Sequence, residues 1–416
     1  MNQKKLKKLY TEKQIEALKC FKKIFWLLIL HGAKRAGKTV ADNDLFLLEL
    51  KRVRKIADKL GIPEPQYILA GNSLGSLARN VLIEITNKYG IEFNFNKYNE
   101  FKLFGVRVCC FGHGTIRDMA RIRGMTAFGA YVNEATTAVE EVVREILNRC
   151  SGEGARVMMD TNPDNPEHYI KTDYIDKADG KRIIEIHFEL DDNDFLTNEY
   201  KENVKSTTPS GLFFDRDIKG LWVNSEGVVY KDFDKSMFLS KYNKENIIKY
   251  IAGVDWGYEH FGSIAVIGID GLGNHLLIKE IVEQHQEVDF WVDRAKEVVQ
   301  EFGNIPFYCD SARPEHVARF SREGFKAHNA NKEILSGIEV VAKLMKQENF
   351  YVLDECKHFK KEIYNYVWDK KKGLPVKTND DLMDAIRYAI YTESTKNRNY
   401  ERWLKKDWGN YLDKRA

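Results

Sequence analysis

The sequence predicts a two-domain α/β protein, and three observations lead to that fold class. A complete phosphate-binding loop pattern at 32–39 follows an apolar run at 24–30 and precedes helical periodicity at 43–60. In the C-terminal half, acidic residues end several strand-like runs. The length of 416 residues exceeds one ordinary core, because domains usually hold about 100–200 residues. We expect an N-terminal domain with a mainly parallel sheet and flanking helices, followed by a second α/β domain.

The phosphate-binding loop predicts ATP and Mg²⁺ as cofactors of the N-terminal domain. Its glycines let backbone N–H groups turn toward phosphates, Lys38 reaches the outer phosphates, and the Thr39 hydroxyl ligates Mg²⁺. The alternative is a plain surface turn, but the strand before the loop and the helix after it favour nucleotide binding. The predicted nucleotide-binding residues of the loop are Gly32, Ala33, Lys34, Arg35, Ala36, Gly37, Lys38 and Thr39.

Gln14 lies in a short predicted helix at 11–21, just before the loop, with Thr11 as its N-cap. A Gln at this place reads the adenine edge in many helicase-like ATPases. The other interpretation is a solvent-facing helix residue. The sequence leaves these two open.

A short apolar strand at 128–132 ends in Asn133 and Glu134, where a second ATPase motif is expected. A carboxylate there would hold the Mg²⁺ shell, and the next Glu would polarise the attacking water. Asn133 replaces the usual Asp, although its amide can still orient a metal-bound water. Glu134 is therefore the predicted catalytic base, with a helix-capping role as the alternative.

Another predicted strand, at 156–160, ends in Thr161 and Asn162. Polar groups one strand away from a nucleotide would sense the γ-phosphate and couple its loss to another element. The sequence equally fits a simple turn forced by Pro163 and Pro166.

Three separated acids in the C-terminal half predict a second site. Asp255 and Asp310 end strand-like runs, while Asp384 lies on a late helix together with Asp380 and Asp381. Converging carboxylates repel one another unless hard cations such as Mg²⁺ or Mn²⁺ lie between them. Two such ions would activate water and stabilise the leaving oxygen of a phosphodiester. This arrangement predicts an RNase H-like nuclease, with ordinary strand-end and helix caps as the alternative.

The bulk properties limit the partners and the compartment. The formal net charge is +3, so contact with nucleic acid depends on local patches such as the basic hairpin expected at 368–377. The six cysteines show no zinc-binding spacing, which is typical of reduced core thiols in a cytosolic protein. We expect no membrane segment. The predicted divisions are 1–180, a linker subdomain at 181–245, 246–395, and a tail at 396–416.

The combination of these motifs resembles the large terminase subunit of tailed bacteriophages and related prophages. The resemblance is carried by the phosphate loop, by Val132-Asn133-Glu134, by Thr161-Asn162-Pro163, and by the three acids with the phrase from Asp380 to Tyr388. The family often has His where this chain has Asp381, and Asn133 is the other departure.

The resemblance implies a motor that forms a homo-oligomeric ring at the procapsid portal, translocates double-stranded DNA and cuts the concatemer. It also implies the portal protein and a small terminase subunit as partners, the host cytoplasm as location, and Arg35 or Arg123 as an arginine finger. Two other functions stay open on the sequence. One is a helicase-nuclease of DNA repair, and the other is a catalytically degenerate docking module in virion assembly.

Overall fold

The computed structural model describes residues 8–224, 226–369, 372–378 and 380–396. These residues form two compact units. The first unit holds the described residues up to Lys205 together with Leu212–Val223. The second holds Ser206–Gly211 together with the described residues from Asn224 onward.

The first unit is built on a seven-stranded sheet with the order β3-β4-β2-β5-β6-β1-β7. All neighbouring strands are parallel except the β3–β4 hairpin. The carboxyl ends of β1, β2, β5 and β6 therefore lie along one edge. The strands are β1 Leu27–Gly32, β2 Gln66–Gly71, β3 Glu100–Leu103, β4 Val106–Gly112, β5 Ala127–Val132, β6 Arg156–Thr161 and β7 Ile183–Phe188.

The second unit is built on a mixed seven-stranded sheet with the order β13-β12-β9-β10-β11-β14-β8. The strand β10 is antiparallel to β9 and β11, and the remaining pairs are parallel. The strands are β8 Phe238–Leu239, β9 Ile247–Asp255, β10 Phe261–Asp270, β11 His275–Gln284, β12 Pro306–Cys309, β13 Lys326–Asn329 and β14 Phe350–Leu353.

Helices connect the strands of both sheets. A π-helical segment, Ala78–Leu82, links two of them, α3 and α4. The helices in chain order are α1 Glu12–Lys19, α2 Lys38–Lys59, α3 Leu74–Leu77, α4 Ile83–Tyr89, α5 Met119–Ile122, α6 Glu140–Arg149, α7 Asn198–Thr207, α8 Leu212–Asp217, α9 Val288–Phe302, α10 Pro314–Arg322, α11 Ile334–Lys346, α12 Lys357–Glu362 and α13 at 381–396.

Both faces of the first sheet are covered, which explains the continuous apolar run that forms β1. Leu28 and Leu30 belong to the core on one face, and Leu27 and Ile29 belong to the core on the other. A parallel strand buried on both faces needs apolar residues at every position rather than at alternate ones. The predicted α/β fold class is confirmed for both units.

The structure places the boundary between the units differently from the predicted linker at 181–245. The strand β7 pairs with β1, from Leu27↔Ile183 to Gly32↔Phe188, and so belongs to the first sheet. The first unit then runs to Val223, apart from residues 206–211. The prediction failed because β7 pairs with a strand about 150 residues earlier, which no local pattern indicates. Most of the predicted tail, from 397, lies outside the described residues.

Two further expectations concern the cysteines and the membrane. All six cysteines are unpaired, and five of them are buried, with Cys150 partly exposed. Within the described ranges, no helix combines the length and the apolar character needed to span a bilayer.

Candidate functional site

The phosphate-binding loop connects the end of β1 to the start of α2 and is shaped by two glycines. Gly37, immediately before α2, has φ 93°, and a side chain there would be strained. A Cβ on Gly32 would lie only 2.0 Å from the Phe188 carbonyl oxygen of β7. That close approach is fixed by the hydrogen bond from Ala33 N to Phe188 O, at 2.8 Å. The loop is thus held against the edge strand β7.

The Lys38 side chain is buried beneath the loop and contacts three acceptors. Its Nζ donates to the carbonyl oxygens of Gly32 and Ala33, at 2.9 and 2.6 Å, and to Asn162 Oδ1, at 3.0 Å. Burial lowers the pKa of Lys38 to about 8, while the nearby Asp160 carboxylate opposes that shift. Lys38 therefore links the loop to the end of β6.

Gln14 is buried and braces the loop from behind. Its Nε2 donates to Gly37 O at 3.0 Å, while its Oε1 accepts from Thr11 N at 3.0 Å in a capping box that begins α1. The interpretation of Gln14 as a solvent-facing helix residue is wrong, because the side chain is 3% exposed. Both polar atoms of its amide are hydrogen-bonded to the protein, and Gln14 is absent from the residues that line the cavity described below.

Asn133 and Glu134 follow β5 and meet Asp160, which belongs to the neighbouring strand β6. The Asn133 amide donates to both carboxylate oxygens of Asp160, at 2.9 and 3.1 Å. The Glu134 backbone N–H donates to Asp160 Oδ1 at 2.8 Å. Glu134 has φ 57° and lines the cavity. Burial raises the pKa of its carboxyl, Asp160 adds to that shift, and Arg79 and Lys38 oppose it.

The sequence patterns did not single out Asp160, although its carboxylate lies against Asn133, the position where an acid is usual. The register Val132↔Met159 sets Asn133 beside Asp160, so the acid is displaced by one strand. The sequence does contain a sign of this acid, because Asp160 directly precedes the predicted coupling residues Thr161 and Asn162. Arg79 and Asn80 of the π-helical segment also line the cavity and were not selected as ATPase residues. Asn80 Nδ2 donates to Asn133 Oδ1 at 3.3 Å.

Thr161 and Asn162 lie at the end of β6, next to β1. The Thr161 hydroxyl accepts from Thr136 N at 2.9 Å and contacts the Thr136 hydroxyl at 2.7 Å. Asn162 accepts from Lys38, as described above. The pair thus connects the loop lysine to the segment after Glu134, which a simple proline turn would not require.

The loop, the strand ends and the π-helical segment line an open cavity of about 450 Å³. Thr39 and the exposed Arg35 line it, and the guanidinium of Arg35 also lies 5.8 Å from the ring centre of Tyr200. Arg123 is exposed and is not among the lining residues. The remaining lining residues are Lys34, Ala36, Gly37, Lys38, Val40, Asn43, Arg79, Asn80, Glu84, Glu134, Asp160, Thr161, Asn162, Asn193 and Leu196.

In the second unit, two of the predicted acids lie at the ends of neighbouring parallel strands. Asp255 is the last residue of β9, and Asp310 follows the last residue of β12. The register Cys309↔Val254 and the hydrogen bond from Asp310 N to Val254 O, at 2.8 Å, place the two residues side by side. This arrangement follows from the rule that parallel strands end at one edge.

The third acid reaches this edge because α13 packs directly on β9. A Cβ on Gly253 would lie 1.8 Å from Ala385 O, so only glycine permits this approach. Ser263 Oγ donates to Asp381 O at 2.8 Å and fixes the start of the helix. The buried Glu362 caps the same end, since its carboxyl group accepts from Leu382 N at 3.0 Å.

The five acids influence one another electrostatically. Burial raises the pKa of Asp255 well above its usual value, and Asp384, Asp310, Asp381 and Asp380 add to that shift. Burial, followed by Asp384 and Asp381, raises the pKa of Asp380 to about 6. The donors are carboxylate oxygens, which suit hard divalent cations. Among the described residues, however, no three His, Cys, Asp or Glu side chains are placed to share one ion.

Basic groups compensate two of these acids. Lys332 Nζ lies 2.5 Å from Asp310 Oδ1, and Arg387 Nη2 lies 2.9 Å from Asp384 Oδ1. Within the predicted hairpin at 368–377, Trp368 and Pro375 form an antiparallel bridge. Its Lys372 and Lys377 line a cavity of about 240 Å³ together with Asp380 and Asp384. Lys370 and Lys371 lie outside the described residues.

Comparisons with known proteins cover both units. Residues 29–237 match the family model described as terminase large subunit, T4likevirus-type, N-terminal, and residues 272–393 match the model of the terminase RNaseH-like domain. The chain is also similar in structure to the large terminase from a thermophilic bacteriophage. That similarity has 25% identity and a TM-score of 0.76, with 92% of this chain and 98% of that chain covered.

The same thermophilic phage terminase in complex with ATP-γ-S gives 26% identity and a TM-score of 0.73, with 92% and 99% covered. No curated protein sequence matches this chain.

Proposed function

The chain belongs to the large terminase subunit family, which acts in phage DNA packaging, and we propose that it is an ATP-driven DNA translocase and a metal-dependent DNA endonuclease. One observation carries the proposal: two polar sites of different chemistry lie on separate units of one chain. The first is a phosphate loop faced by carboxylates. The second is a group of acids at adjoining strand ends and a helix start.

In the ATPase site, the loop N–H groups and Lys38 bind the phosphates of ATP. Bound Mg²⁺ would neutralise charge that develops on the phosphates, with Thr39 and Asp160 as the side chains available to hold it. Glu134, with its raised pKa, orients and deprotonates the attacking water. Asn162 contacts the buried Lys38, so loss of the γ-phosphate changes the surroundings of both side chains. The ATP-γ-S complex of the thermophilic phage terminase supports ATP as the nucleotide.

Either of two arginines assists the transfer in this proposal. Arg35 lies on the same chain's cavity wall and acts in cis. Arg123 is exposed and would act on a neighbouring subunit's nucleotide. The second role requires the homo-oligomeric ring that the family suggests.

In the nuclease site, Asp255, Asp310 and Asp384 would hold Mg²⁺ or Mn²⁺, with Asp380 and Asp381 alongside. Such ions activate water and stabilise the leaving oxygen. The hairpin lysines Lys372 and Lys377 attract backbone phosphates toward acids that would otherwise repel them. Glu362 and Ser263 hold the start of α13 and so keep Asp381 and Asp384 in place.

The partners we propose are double-stranded DNA, a portal protein and a small terminase subunit, met in the host cytoplasm at the procapsid portal. The test uses the full chain with linear double-stranded DNA, ATP, and Mg²⁺, Mn²⁺ or EDTA. We expect DNA-stimulated hydrolysis at about 1 per second or faster, together with cleavage that EDTA abolishes. Absence of turnover would favour the degenerate docking module, and unwinding of a forked duplex would favour the helicase-nuclease.

A further inference from the structure

Lys332 lies in the segment between β13 and α11, and its ammonium group contacts one of the proposed nuclease acids. The distance from Lys332 Nζ to Asp310 Oδ1 is 2.5 Å. We propose that Lys332 is a built-in cation of the nuclease site. It fills one of the two cation positions of a two-metal site for phosphodiester cleavage, so that a single divalent ion completes the site. This inference rests on the proposed nuclease function.

The segment that carries Lys332 is anchored to the elements that carry the acids. On one side, Ala330 N donates to Cys309 O at 2.8 Å, beside Asp310. On the other side, Asn331 N donates to Thr392 Oγ1 of α13 at 2.9 Å. These bonds place the backbone before Lys332 beside Asp310, and the partly exposed side chain then reaches the Asp310 carboxylate.

Arg387 connects the same segment to Asp384. Its Nη1 donates to the carbonyl oxygens of Lys332 and Glu333, at 3.1 and 3.3 Å, while its Nη2 pairs with Asp384. Arg387 is 2% exposed, and a Cβ on Gly337 would lie 2.7 Å from its Cγ. The glycine thus makes room for a buried arginine that positions both Lys332 and Asp384.

The distribution of charge indicates where a divalent ion would bind. Asp310 and Asp384 each have a cationic partner, whereas no Lys, Arg or His in the described part of the chain forms an ion pair with Asp255. A second divalent ion at Asp310 would lie close to the positive charge of the ammonium group, which repels it. A lysine ammonium is also a phosphate binder, so Lys332 can hold the scissile phosphate where a second ion would otherwise do so.

The test is a titration of the full chain with Mn²⁺ in the absence of nucleotide, in which calorimetry measures the number of ions bound. We expect one Mn²⁺ per chain for the wild type, lost in Asp255→Asn, and two per chain for Lys332→Met. The matched control is Lys279→Met, since Lys279 pairs with Glu301 at 2.7 Å elsewhere in the second unit. This control should still bind one ion. Lys332→Arg, which keeps the positive charge, should also bind one.

Cleavage provides the second measurement. At a Mg²⁺ concentration that saturates the wild type, Lys332→Met should cut DNA at least about tenfold more slowly, with a steeper dependence on the metal concentration. If Lys332→Met does not fold, Lys332→Gln is titrated in the same way. Equal Mn²⁺ stoichiometry in the wild type and the neutral variant overturns the role of Lys332. A wild type that neither binds Mn²⁺ nor cuts DNA overturns the nuclease proposal itself.

Discussion

The Lys38 ammonium nitrogen lies 3.0 Å from the amide oxygen of Asn162, which joins the phosphate loop to the end of β6. Two backbone carbonyls from the loop complete its hydrogen bonds. Among these three acceptors, Asn162 is the one side chain. We therefore expect Lys38 to release Asn162 when it binds a phosphate.

Asn162→Ala should slow ATP hydrolysis about tenfold or more, since hydrogen bonds to charged groups contribute about 1.5–3 kcal/mol. Steady-state kinetics with double-stranded DNA measures the effect. Asn304→Ala is the control, because the Asn304 amide donates to Gly324 O in the second unit. An Asn162→Ala rate within about twofold of the wild type would show that the contact between Lys38 and Asn162 does not contribute to ATP hydrolysis.

Gln14→Leu should lower kcat/KM for ATP and kcat/KM for GTP by the same factor. The Gln14 amide braces Gly37 and caps α1, so its loss should lower the free energy of unfolding by about 1–3 kcal/mol. The ratio of kcat/KM for ATP to that for GTP should stay within about twofold. A tenfold shift of that ratio toward GTP would instead show that Gln14 reads adenine.

Substitutions of Asn133 and Asp160, at the ends of β5 and β6, test whether Asp160 takes the place of the acid that is usual at position 133. Asp160→Asn should reduce ATP hydrolysis at least about 100-fold. Asn133→Asp, although it restores the usual Asp, should destabilise the protein, because it sets a second carboxylate against Asp160. The double variant should recover about tenfold over Asp160→Asn. If Asn133→Asp alone raises the activity, the assignment of Asp160 fails.

The buried Lys38 predicts a defined pH dependence of stability. Its pKa is lowered to about 8 in the folded state, against about 10.4 in an unfolded chain. Between these values the unfolded state binds more protons, so the free energy of unfolding rises with pH, by at most about 1.4 kcal/mol per unit. Urea unfolding at pH 7 to 9.5 should show this rise relative to Lys38→Met. A constant difference across that range would contradict it.

Gly253→Ala should displace α13 from β9. The new Cβ would clash with Ala385 O, so DNA cleavage should fall at least about tenfold while ATP hydrolysis stays within about twofold. Gly271→Ala is the control, because nothing lies within 4 Å of a Cβ there. Normal cleavage by Gly253→Ala would show that the packing of α13 on β9 does not position the nuclease acids.

Local patterns predicted much of this architecture. The apolar run, the phosphate loop and the periodicity after it fix β1 and α2, and strand-end acids indicated Asp255 and Asp310. The missed features depend on distant pairing. Asp160 gains its role from the β5–β6 register, and β7 joins the first sheet beside β1.

The contacts of Gln14 and Lys332 likewise could not be predicted. The partner of Gln14 is a backbone carbonyl 23 residues away. Asp310 precedes Lys332 by only 22 positions, but the turn that brings them together requires the β12–β13 pairing and the anchors on α13. Neither contact leaves a periodic signal in the sequence.

The most direct test of two separate active sites is a paired assay of Glu134→Gln and Asp255→Asn in the full chain. ATP hydrolysis and DNA cleavage are measured on the same preparations. Glu134→Gln should lose ATP hydrolysis at least about 100-fold and still cut DNA, whereas Asp255→Asn should lose cleavage and hydrolyse ATP within about twofold of the wild-type rate. A single one of these substitutions that removed both activities from a folded protein would contradict the account.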